Sequence, residues 1–352
     1  MKNPFDLNDF KKFDYLPFAY INLSAIKSNA KLIKCNTSAL FCAVVKSNAY
    51  GHGLVESAWA INSYCDYFAV AELSEGVTLR ISGIDKPIIC LTPISDITRA
   101  IEYDITICVH NLNYFNNLNS FCLKNNLSIK VHIAVNTGMN RLGLDSINEL
   151  DYCLKNAKII KITGIYSHFY NSSSKRDAQN QFLRFLPFAQ KAKGYNGQIV
   201  AHISASGGFV LDEKYHLDMV RIGLMLYGYS PIKSCFKLNK AMTVYAPLLQ
   251  KRSLLRGQNL LYGSYKLNKD LQVGIYAYGY ANGERKPIDN QINNSCMNIC
   301  AIKSQRRFVT IMKNATTLAR RFNTIEYQIL TSFGNNCKRI YGEIDENYFG
   351  KI

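Results

Sequence analysis

Lys46 is the residue of this sequence whose type and position most directly suggest chemistry. It ends the apolar run of A-V-V-K-S-N-A-Y-G-H-G (43–53), after which the chain turns at once into polar and glycine residues. A lysine at a strand end often extends along its apolar stem so that the amine reaches solvent. Where the protein partly buries the amine, the pKa of the lysine falls and the neutral amine can act as a nucleophile. Both interpretations fit Lys46 taken alone.

Other polar residues also follow predicted strands. These residues are Asn136, Thr137, Gly138 and Arg141 after one strand, His168 after another, Ser204 to Gly208 after a third, and Arg221 with Gly223 after the last. Because active sites of (β/α)8 barrels lie at the carboxyl ends of the strands, these groups are expected to converge at one mouth. Convergence favours the nucleophilic lysine, and pyridoxal phosphate is the natural cofactor for such an amine.

Two glycine-containing segments, S-G-G (206–208) and R-I-G (221–223), follow the last two predicted barrel strands. Barrels commonly bind phosphate at this place, through backbone N–H groups and the start of a short helix. Glycines can also mark ordinary turns. Taken together at this position, the two segments favour a phosphate site.

The elements that must position these residues alternate between short apolar runs and amphipathic segments, which predicts parallel strands joined by helices. The predicted strands are Phe18–Asn22, 40–46, 67–71, 87–92, 105–110, 129–135, 160–169, 199–204 and 218–222. The predicted helical segments are 54–63, 112–125, 147–156 and 175–193. A closed barrel needs eight strands. With nine candidates, Phe18–Asn22 is expected to lie outside it.

The pattern of predicted elements changes after about Ser230, where short strands joined by turns of Gly, Asn and Lys replace the helical segments. The predicted fold class is therefore α/β, with a (β/α)8 TIM-type barrel in residues 1–240 and a mostly β domain in 241–352. The strand near 18–22 is a candidate to join the second domain.

Composition narrows the class of protein. The 352 residues carry a formal charge of +17, which invites a nucleic-acid-binding hypothesis, but the charge is spread along the chain without a recognition motif. Eleven scattered cysteines without a usual zinc spacing indicate reduced thiols and no metal site. The N-terminus has no apolar signal segment and no run approaches a membrane span, so a cytoplasmic protein is expected.

The lysine stretch resembles the cofactor-lysine motif of the alanine racemases, a family of pyridoxal-phosphate enzymes. The resemblance continues through N-T-G-M-N-R-L-G (136–143), G-I-Y-S-H-F (164–169), H-I-S-A-S (202–206), R-I-G-L-M-L-Y-G (221–228), L-Y-G-S-Y (261–265), G-Y-A-N-G (279–283) and C-M-N (296–298). It implies interconversion of L-alanine and D-alanine by two bases, supplying D-alanine for bacterial peptidoglycan, in a homodimer with shared active sites.

The resemblance also implies a role for individual residues. Lys46 would carry pyridoxal phosphate and act as one base, and Tyr262, from the other subunit, as the second. Arg221 would bond the pyridine nitrogen and His168 would link Arg221 with Tyr262. The residues implied for the phosphate are Tyr50, Ser206, Gly223 and Leu224. Those implied for the substrate are Arg141 and the Met297 backbone at its carboxylate, and Tyr280 at the entrance.

Four positions depart from the commonest family pattern. Ala134 stands where many relatives have a carbamylated lysine that orients the arginine corresponding to Arg141. Ala205 replaces an asparagine near the phosphate, and Asn282 and Asn298 replace two acidic residues near the entrance. Tyr341 is a candidate for the second entrance tyrosine. None of these changes affects the two bases.

Other functions stay open on the sequence alone. A racemase of another small amino acid such as serine would carry the same motifs. A non-catalytic pyridoxal-phosphate-binding barrel would share the lysine, although such proteins usually lack the β domain. A barrel-type amino-acid decarboxylase would need further cysteine and acidic motifs that are not found.

Overall fold

The computed structural model describes residues 15–262, 266–283 and 295–342. These residues divide into two compact units. The barrel unit comprises residues 26–49 and 54–239, and the β unit comprises the described residues of 15–25, 50–53 and the chain from 240 onward. The predicted division at 240/241 stays a prediction.

Eight parallel strands form the sheet of the barrel unit. They are β2 (Leu40–Val44), β3 (Tyr67–Val70), β4 (Ile88–Cys90), β5 (Ile105–Val109), β6 (Lys130–Ala134), β7 (Lys161–Tyr166), β8 (Val200–His202) and β9 (Met219–Ile222). The order is β8-β7-β6-β5-β4-β3-β2-β9. Backbone bonds from Asp218 N to Ala201 O (3.1 Å) and from Arg221 N to Ser204 O (2.9 Å) join its two ends. The predicted barrel is confirmed.

Helices alternate with these strands. They are α1 (Leu23–Cys35), α2 (Lys46–Tyr50), α3 (Leu54–Ile61), α4 (Leu73–Ile81), α5 (Ile97–Glu102), α6 (Leu112–Asn125), α7 (Ile147–Asn156), α8 (Lys175–Tyr195) and α9 (Ser206–Leu211). Local sequence sets several of their starts: Asn111 and Ser174 cap α6 and α8 with their side chains, and Ser146 with Glu149 forms a capping box on α7.

The core of the barrel unit lies between the strands and these helices. All five residues of β5 are buried, as are Val131 and Ile133 of β6, because a parallel strand covered on both faces meets no solvent. Phe115 of α6, Leu150 of α7 and Phe185 of α8 are wholly buried against the same cluster. This rigid layer fixes the strand ends from which the polar residues project.

The β unit contains a six-stranded sheet of mixed direction. Its strands are β1 (Phe18–Asn22), β10 (Met242–Leu254), β11 (Leu271–Tyr276), β12 (Cys300–Ile302), β13 (Phe308–Met312) and β14 (Lys338–Gly342). β1 pairs antiparallel with β10 and parallel with β14. The prediction that this first strand lies outside the barrel is confirmed. Two helices, α10 (Ala315–Arg321) and α11 (Glu326–Asn336), also belong to this part of the chain.

Within the described ranges, no helix is long and apolar enough to cross a membrane. All eleven cysteines are free thiols, and most are buried. Burial raises the pKa of several of them, for example that of Cys65 to about 12, so they behave as small apolar residues.

Candidate active site

Lys46 begins α2, which is a single left-handed helical turn directly after β2. Ser47, Asn48, Ala49 and Tyr50 have φ values of 54°, 55°, 53° and 52°. For residues other than glycine this conformation costs about 1–2 kcal/mol each, so neighbouring groups must stabilise it. Because the chain leaves extended geometry here, β2 ends at Val44, two residues before the predicted strand end.

Hydrogen bonds at several points hold the left-handed turn. Ala49 N donates to Val45 O at 2.7 Å, and Leu54 N donates to Asn48 Oδ1 at 2.8 Å. Asn48 N donates to Oε1 of Glu75, on α4, at 3.0 Å. The turn is thereby anchored at its start, at its exit and from a neighbouring helix, which fixes the backbone of Lys46.

Two positive charges act on the Lys46 amine. Burial lowers the pKa of Lys46, and the charges of Arg141 and Arg221 lower it further, while Glu75 opposes them. The lysine is half-buried, so the neutral amine is favoured over the ammonium more than on an open surface. A neutral amine can attack a carbonyl or accept a proton.

Arg221, on β9, lies at the centre of a buried hydrogen-bond chain. Its side chain is 3% exposed, and its Nη2 donates to Ser167 O at 2.8 Å and to His168 Nδ1 at 3.2 Å. Burial lowers the pKa of His168 to about 3, with further contributions from Arg221, Arg141 and Lys46. His168 is therefore neutral, with Nδ1 as the acceptor and the ring hydrogen on Nε2. The two residues predicted to be linked are in direct contact.

His202 and His132 extend this chain behind Arg221. Arg221 Nη1 donates to His202 Nδ1 at 2.5 Å, and His202 Nε2 bonds His132 Nδ1 at 2.8 Å. Burial and Arg221 lower the pKa of both imidazoles, that of His132 to about 3. Tyr166 stacks on His202 with ring centroids 5.3 Å apart. Both histidines are neutral, so the guanidinium is held by neutral acceptors alone.

Ser206 and the segment after Gly223 meet at the ends of β8 and β9. Ser206 begins α9, and its Oγ accepts from Met225 N at 3.4 Å. Gly223 precedes a 3₁₀ helix that begins at Leu224. The first N–H groups of a helix lack intrahelical acceptors, so both starts can donate to an anion.

The corner between the ends of β8 and β9 has two further features, tight packing and one unpaired hydroxyl. A Cβ at Gly207 would lie 2.0 Å from Ser172 Oγ, so only glycine fits there. Among the described residues, the wholly buried Ser204 Oγ has no hydrogen-bond partner. The corner is therefore closely packed yet retains hydrogen-bonding capacity.

Arg141 lies on an exposed loop whose base is fixed from inside the barrel unit. Asn136 Oδ1 accepts from Gly138 N at 3.1 Å and from Asn140 N at 3.0 Å, which folds the loop. At its base, the buried Gln181 of α8 donates to Thr137 Oγ1 and to His168 O, both at 3.0 Å. Gln181 thus ties the Arg141 loop to the end of β7.

The remaining predicted site residues belong to the β unit. Tyr50 is buried and packs on Tyr327, with ring centroids 5.4 Å apart.

Tyr280 is 48% exposed, and backbone bonds from Tyr280 N to Cys296 O and from Ala281 N to Met297 O hold the two segments 280–281 and 296–297 together. Tyr262 is 94% exposed. The phenol of the candidate Tyr341 accepts from Arg339 Nε at 3.0 Å.

Sequence reasoning did not assign roles to Glu75, His202 or Gln181. His202 could have been found, since it is an imidazole at the carboxyl end of a predicted strand, as His168 is. Glu75 and Gln181 lie inside helices, where the sequence gives no sign of contacts to a distant loop. Only the folded barrel brings them to the site.

Comparisons with known proteins agree with this geometry. A family profile described as "Alanine racemase, N-terminal domain" matches residues 21–231. The chain is 32% identical to an alanine racemase of Rickettsia canadensis over 91% of this chain and 98% of that protein. It is 29% identical to alanine racemase 1 of Clostridium acetobutylicum, over 92% of this chain and 95% of that one.

Solved structures show the same similarity. Alanine racemase from Bacillus anthracis with bound L-Ala-P superposes with a TM-score of 0.84 at 25% identity, covering 97% of this chain and 100% of that chain. Alanine racemase from Bartonella henselae with covalently bound pyridoxal phosphate gives 0.79 at 26% identity, covering 93% and 99%. The chain belongs to the alanine racemase family.

Proposed function

We propose that this protein is a pyridoxal-phosphate-dependent alanine racemase that interconverts L-alanine and D-alanine with two bases. The observation that carries the proposal is the cluster of Lys46, Arg221 and His168, in which burial and two guanidinium groups lower the pKa of the lysine. The family's curated members bear this activity in their names, and the cluster provides the chemistry that the activity requires.

The residues of the barrel unit fit the cofactor. Arg141, Arg221 and Lys46 form a cationic environment that favours an anionic group. Beside it lie the two helix starts at Ser206 and Leu224 and the unpaired Ser204 hydroxyl. Lys46 would hold the aldehyde carbon, Ser206 with the N–H groups of Gly223 and Leu224 the phosphate, and Arg221 the ring nitrogen. The family's motif adds Tyr50 to the phosphate site.

When bound, the cofactor withdraws electrons from the amino acid and makes its Cα proton acidic. Racemisation then needs one group to remove this proton from one face and another to return a proton on the opposite face. The neutral amine of Lys46 is suited to accept and donate the proton on its side. General acid–base groups placed in this way contribute about 10²–10⁴-fold each.

Arg221 would hold the ring nitrogen without protonating it. A guanidinium keeps its proton in proteins, and the two imidazoles that accept from Arg221, those of His168 and His202, are neutral and supply no negative charge. By keeping its proton, Arg221 would limit electron withdrawal by the cofactor and so limit side reactions. His168, with its hydrogen on Nε2, is available to donate to the second base.

The second base in this proposal is Tyr262 of another copy of the chain. Its phenol is almost wholly exposed in its own unit, so the hydroxyl is free of local packing. A phenol acts as a base when cations favour the phenolate, and the Arg221–His168 pair with Arg141 supplies such a field. Function therefore requires a homodimer with shared active sites.

Substrate binding in this proposal uses both predicted groups. Arg141 can bond a carboxylate with two parallel N–H groups, and the backbone of Met297 is the second carboxylate contact. Tyr280 restricts the entrance, which favours a small side chain such as the methyl of alanine.

Compartment and domain division complete the proposal. Eleven free thiols are typical of a reducing compartment, so we place the protein in the cytoplasm. The barrel strands end at Ile222 and the later strands of the described residues belong to the β unit, which supports a barrel domain within 1–240 and a second domain in 241–352 that the strand near 18–22 joins.

The proposal is tested with purified protein in three measurements. Visible absorbance that disappears with borohydride, a pyridoxyl group on the Lys46 peptide by mass spectrometry, and D-alanine formed from L-alanine are all expected. Lys46→Ala should lose all three, whereas Lys193→Ala, which removes an exposed lysine paired with Asp218, should keep them. A borohydride-stable label without turnover would support a binding protein instead, and an unlabelled Lys46 would overturn the proposal.

A further inference from the structure

Glu75 connects two segments of the barrel unit through one carboxylate. Its Oε1 accepts from Asn48 N at 3.0 Å, in the left-handed turn that carries Lys46. Its Oε2 accepts from Ala71 N at 3.0 Å and from Glu72 N at 3.2 Å, at the start of α4. One side chain therefore satisfies backbone donors of two different loops.

The Oε2 contacts have an ordinary local explanation. Glu75 is the third residue of α4, and a Glu at this position completes a capping box with the helix start. The Oε1 contact lies outside this role, because Asn48 is 27 residues away in sequence. The capping role therefore does not account for the bond from Asn48 N to Glu75 Oε1.

The contact falls where the backbone most needs support. Four consecutive non-glycine residues in the left-handed region store several kcal/mol of strain, at about 1–2 kcal/mol each. A hydrogen bond from a backbone N–H to a carboxylate is stronger than one between neutral groups, by about a factor of two. Glu75 supplies such a carboxylate bond to this turn, at Asn48 N.

Glu75 also acts on Lys46 by charge. Burial lowers the pKa of Lys46 most, and the charged groups that shift it further are Arg141 from the loop after β6, Glu75 from α4 and Arg221 from β9. The two arginines lower the pKa and Glu75 raises it, so the carboxylate offsets part of the repulsion that the amine meets. His168, beyond β7, is neutral and adds no charge.

We propose that Glu75 is a positioning residue that holds the left-handed turn and sets the charge environment of Lys46, so that the amine is presented to its cofactor. This inference rests on the proposed role of Lys46 as the residue that carries pyridoxal phosphate. It assigns to one side chain two separable effects, a hydrogen bond and a charge.

Three variants separate the effects. Glu75→Gln removes the charge and leaves a single acceptor oxygen, which cannot serve both Asn48 N and the N–H groups at the start of α4. Glutamine can still complete the capping box. Glu75→Asp keeps the charge but is one methylene shorter, so it cannot reach both loops. Glu56→Gln is the matched control, since the exposed Glu56 lies on the same surface recess as Glu75 and the substitution removes the same charge.

Two readouts follow the effects independently of turnover. The first is hydrogen exchange of the backbone segment containing residues 47–50 in the cofactor-loaded protein. The second is the pH midpoint at which Lys46, after removal of the cofactor, reacts with trinitrobenzenesulfonate, quantified on the Lys46 peptide. Thermal unfolding of each variant reports whether the fold is retained.

In Glu75→Gln, exchange of this segment should accelerate at least about tenfold, since a bond to a carboxylate is lost. Its Lys46 midpoint should fall, because the group that raises the pKa is gone. Glu75→Asp should show the fast exchange with a midpoint near that of the unchanged protein, and Glu56→Gln should match the unchanged protein in both. The dissociation constant for pyridoxal phosphate should rise about tenfold in Glu75→Gln.

Unchanged exchange and midpoint in Glu75→Gln, or equal shifts in Glu56→Gln, would overturn the inference. Failure of the proposed function is distinguishable. If the unchanged protein does not carry pyridoxal phosphate on Lys46, that function fails, while the midpoint and exchange of the cofactor-free variants still decide whether Glu75 controls the turn and the amine.

Discussion

The left-handed turn after Lys46 can be tested by changing Ser47, whose exposed side chain has a φ of 54°. Glycine adopts this φ freely, so Ser47→Gly removes about 1–2 kcal/mol of strain. Glycine also adds backbone entropy to the unfolded chain, which costs about 0.5–1 kcal/mol. The variant should therefore gain about 0.75 kcal/mol in free energy of unfolding, the difference between the central values of these two effects.

Ser47→Val should have the opposite effect. A β-branched residue is rarely found at positive φ, and strained backbone of this kind costs about 1–3 kcal/mol. Because Ser47 is exposed, neither substitution opens a cavity or buries new surface. Ser63→Gly is the matched control, since Ser63 is also exposed but is not among the positive-φ residues. It should lose about 0.5–1 kcal/mol through entropy alone.

The assay is equilibrium unfolding in urea followed by tryptophan fluorescence. Trp59 is the single tryptophan of the chain and lies on α3 of the barrel unit, so the signal reports that unit alone. If Ser47→Gly destabilises as much as Ser63→Gly, and Ser47→Val has no effect, then the turn is not left-handed and the account of how Lys46 is positioned is wrong.

Three further predictions concern the same cluster. Gln181→Leu removes donors from Thr137 and His168 O, so it should cost about 1–3 kcal/mol of stability in urea unfolding and raise the KM for alanine more than it lowers kcat. The pKa of His168 is about 3 in the folded state and about 6.5 in the unfolded state, so protonation favours unfolding. The contribution of His168 to the free energy of unfolding is therefore complete above pH 6.5 and should fall as the pH drops toward 3, measured as the urea midpoint. Tyr262→Phe should slow solvent-deuterium exchange at Cα far more for one alanine enantiomer than for the other; equal small losses would contradict a base that serves one face.

Sequence periodicity was sufficient to predict the barrel and the position of β1 outside it. Alternation of apolar strands and amphipathic helices is local information, and each strand covered on both faces is uniformly apolar. The strand ends were predicted too long, by two residues at Lys46, because apolar character continues through Val45 while the backbone there already turns. Composition gave no sign of the left-handed conformation, since Ser47, Ala49 and Tyr50 do not favour it.

The part of the site that was predictable from the sequence consists of reactive residues at strand ends. Lys46, His168 and Arg221 could be proposed because charged or imidazole groups follow several strands whose ends must converge at one mouth of the barrel. The buried chain from Arg221 through His202 to His132 joins residues up to 89 positions apart, and only closure of the barrel brings them within 2.5–2.8 Å. Glu75 and Gln181 were missed for the same reason, because their contacts cross from helices to distant loops.

In the proposed mechanism, each active site combines Lys46 of one copy with Tyr262 of another. Two inactive variants, Lys46→Ala and Tyr262→Phe, are mixed under conditions in which subunits exchange. Half of the resulting dimers would be mixed and each would contain one intact site, so racemisation should recover to about one quarter of the unchanged protein. Mixtures that remain as inactive as the separate variants would contradict the shared site.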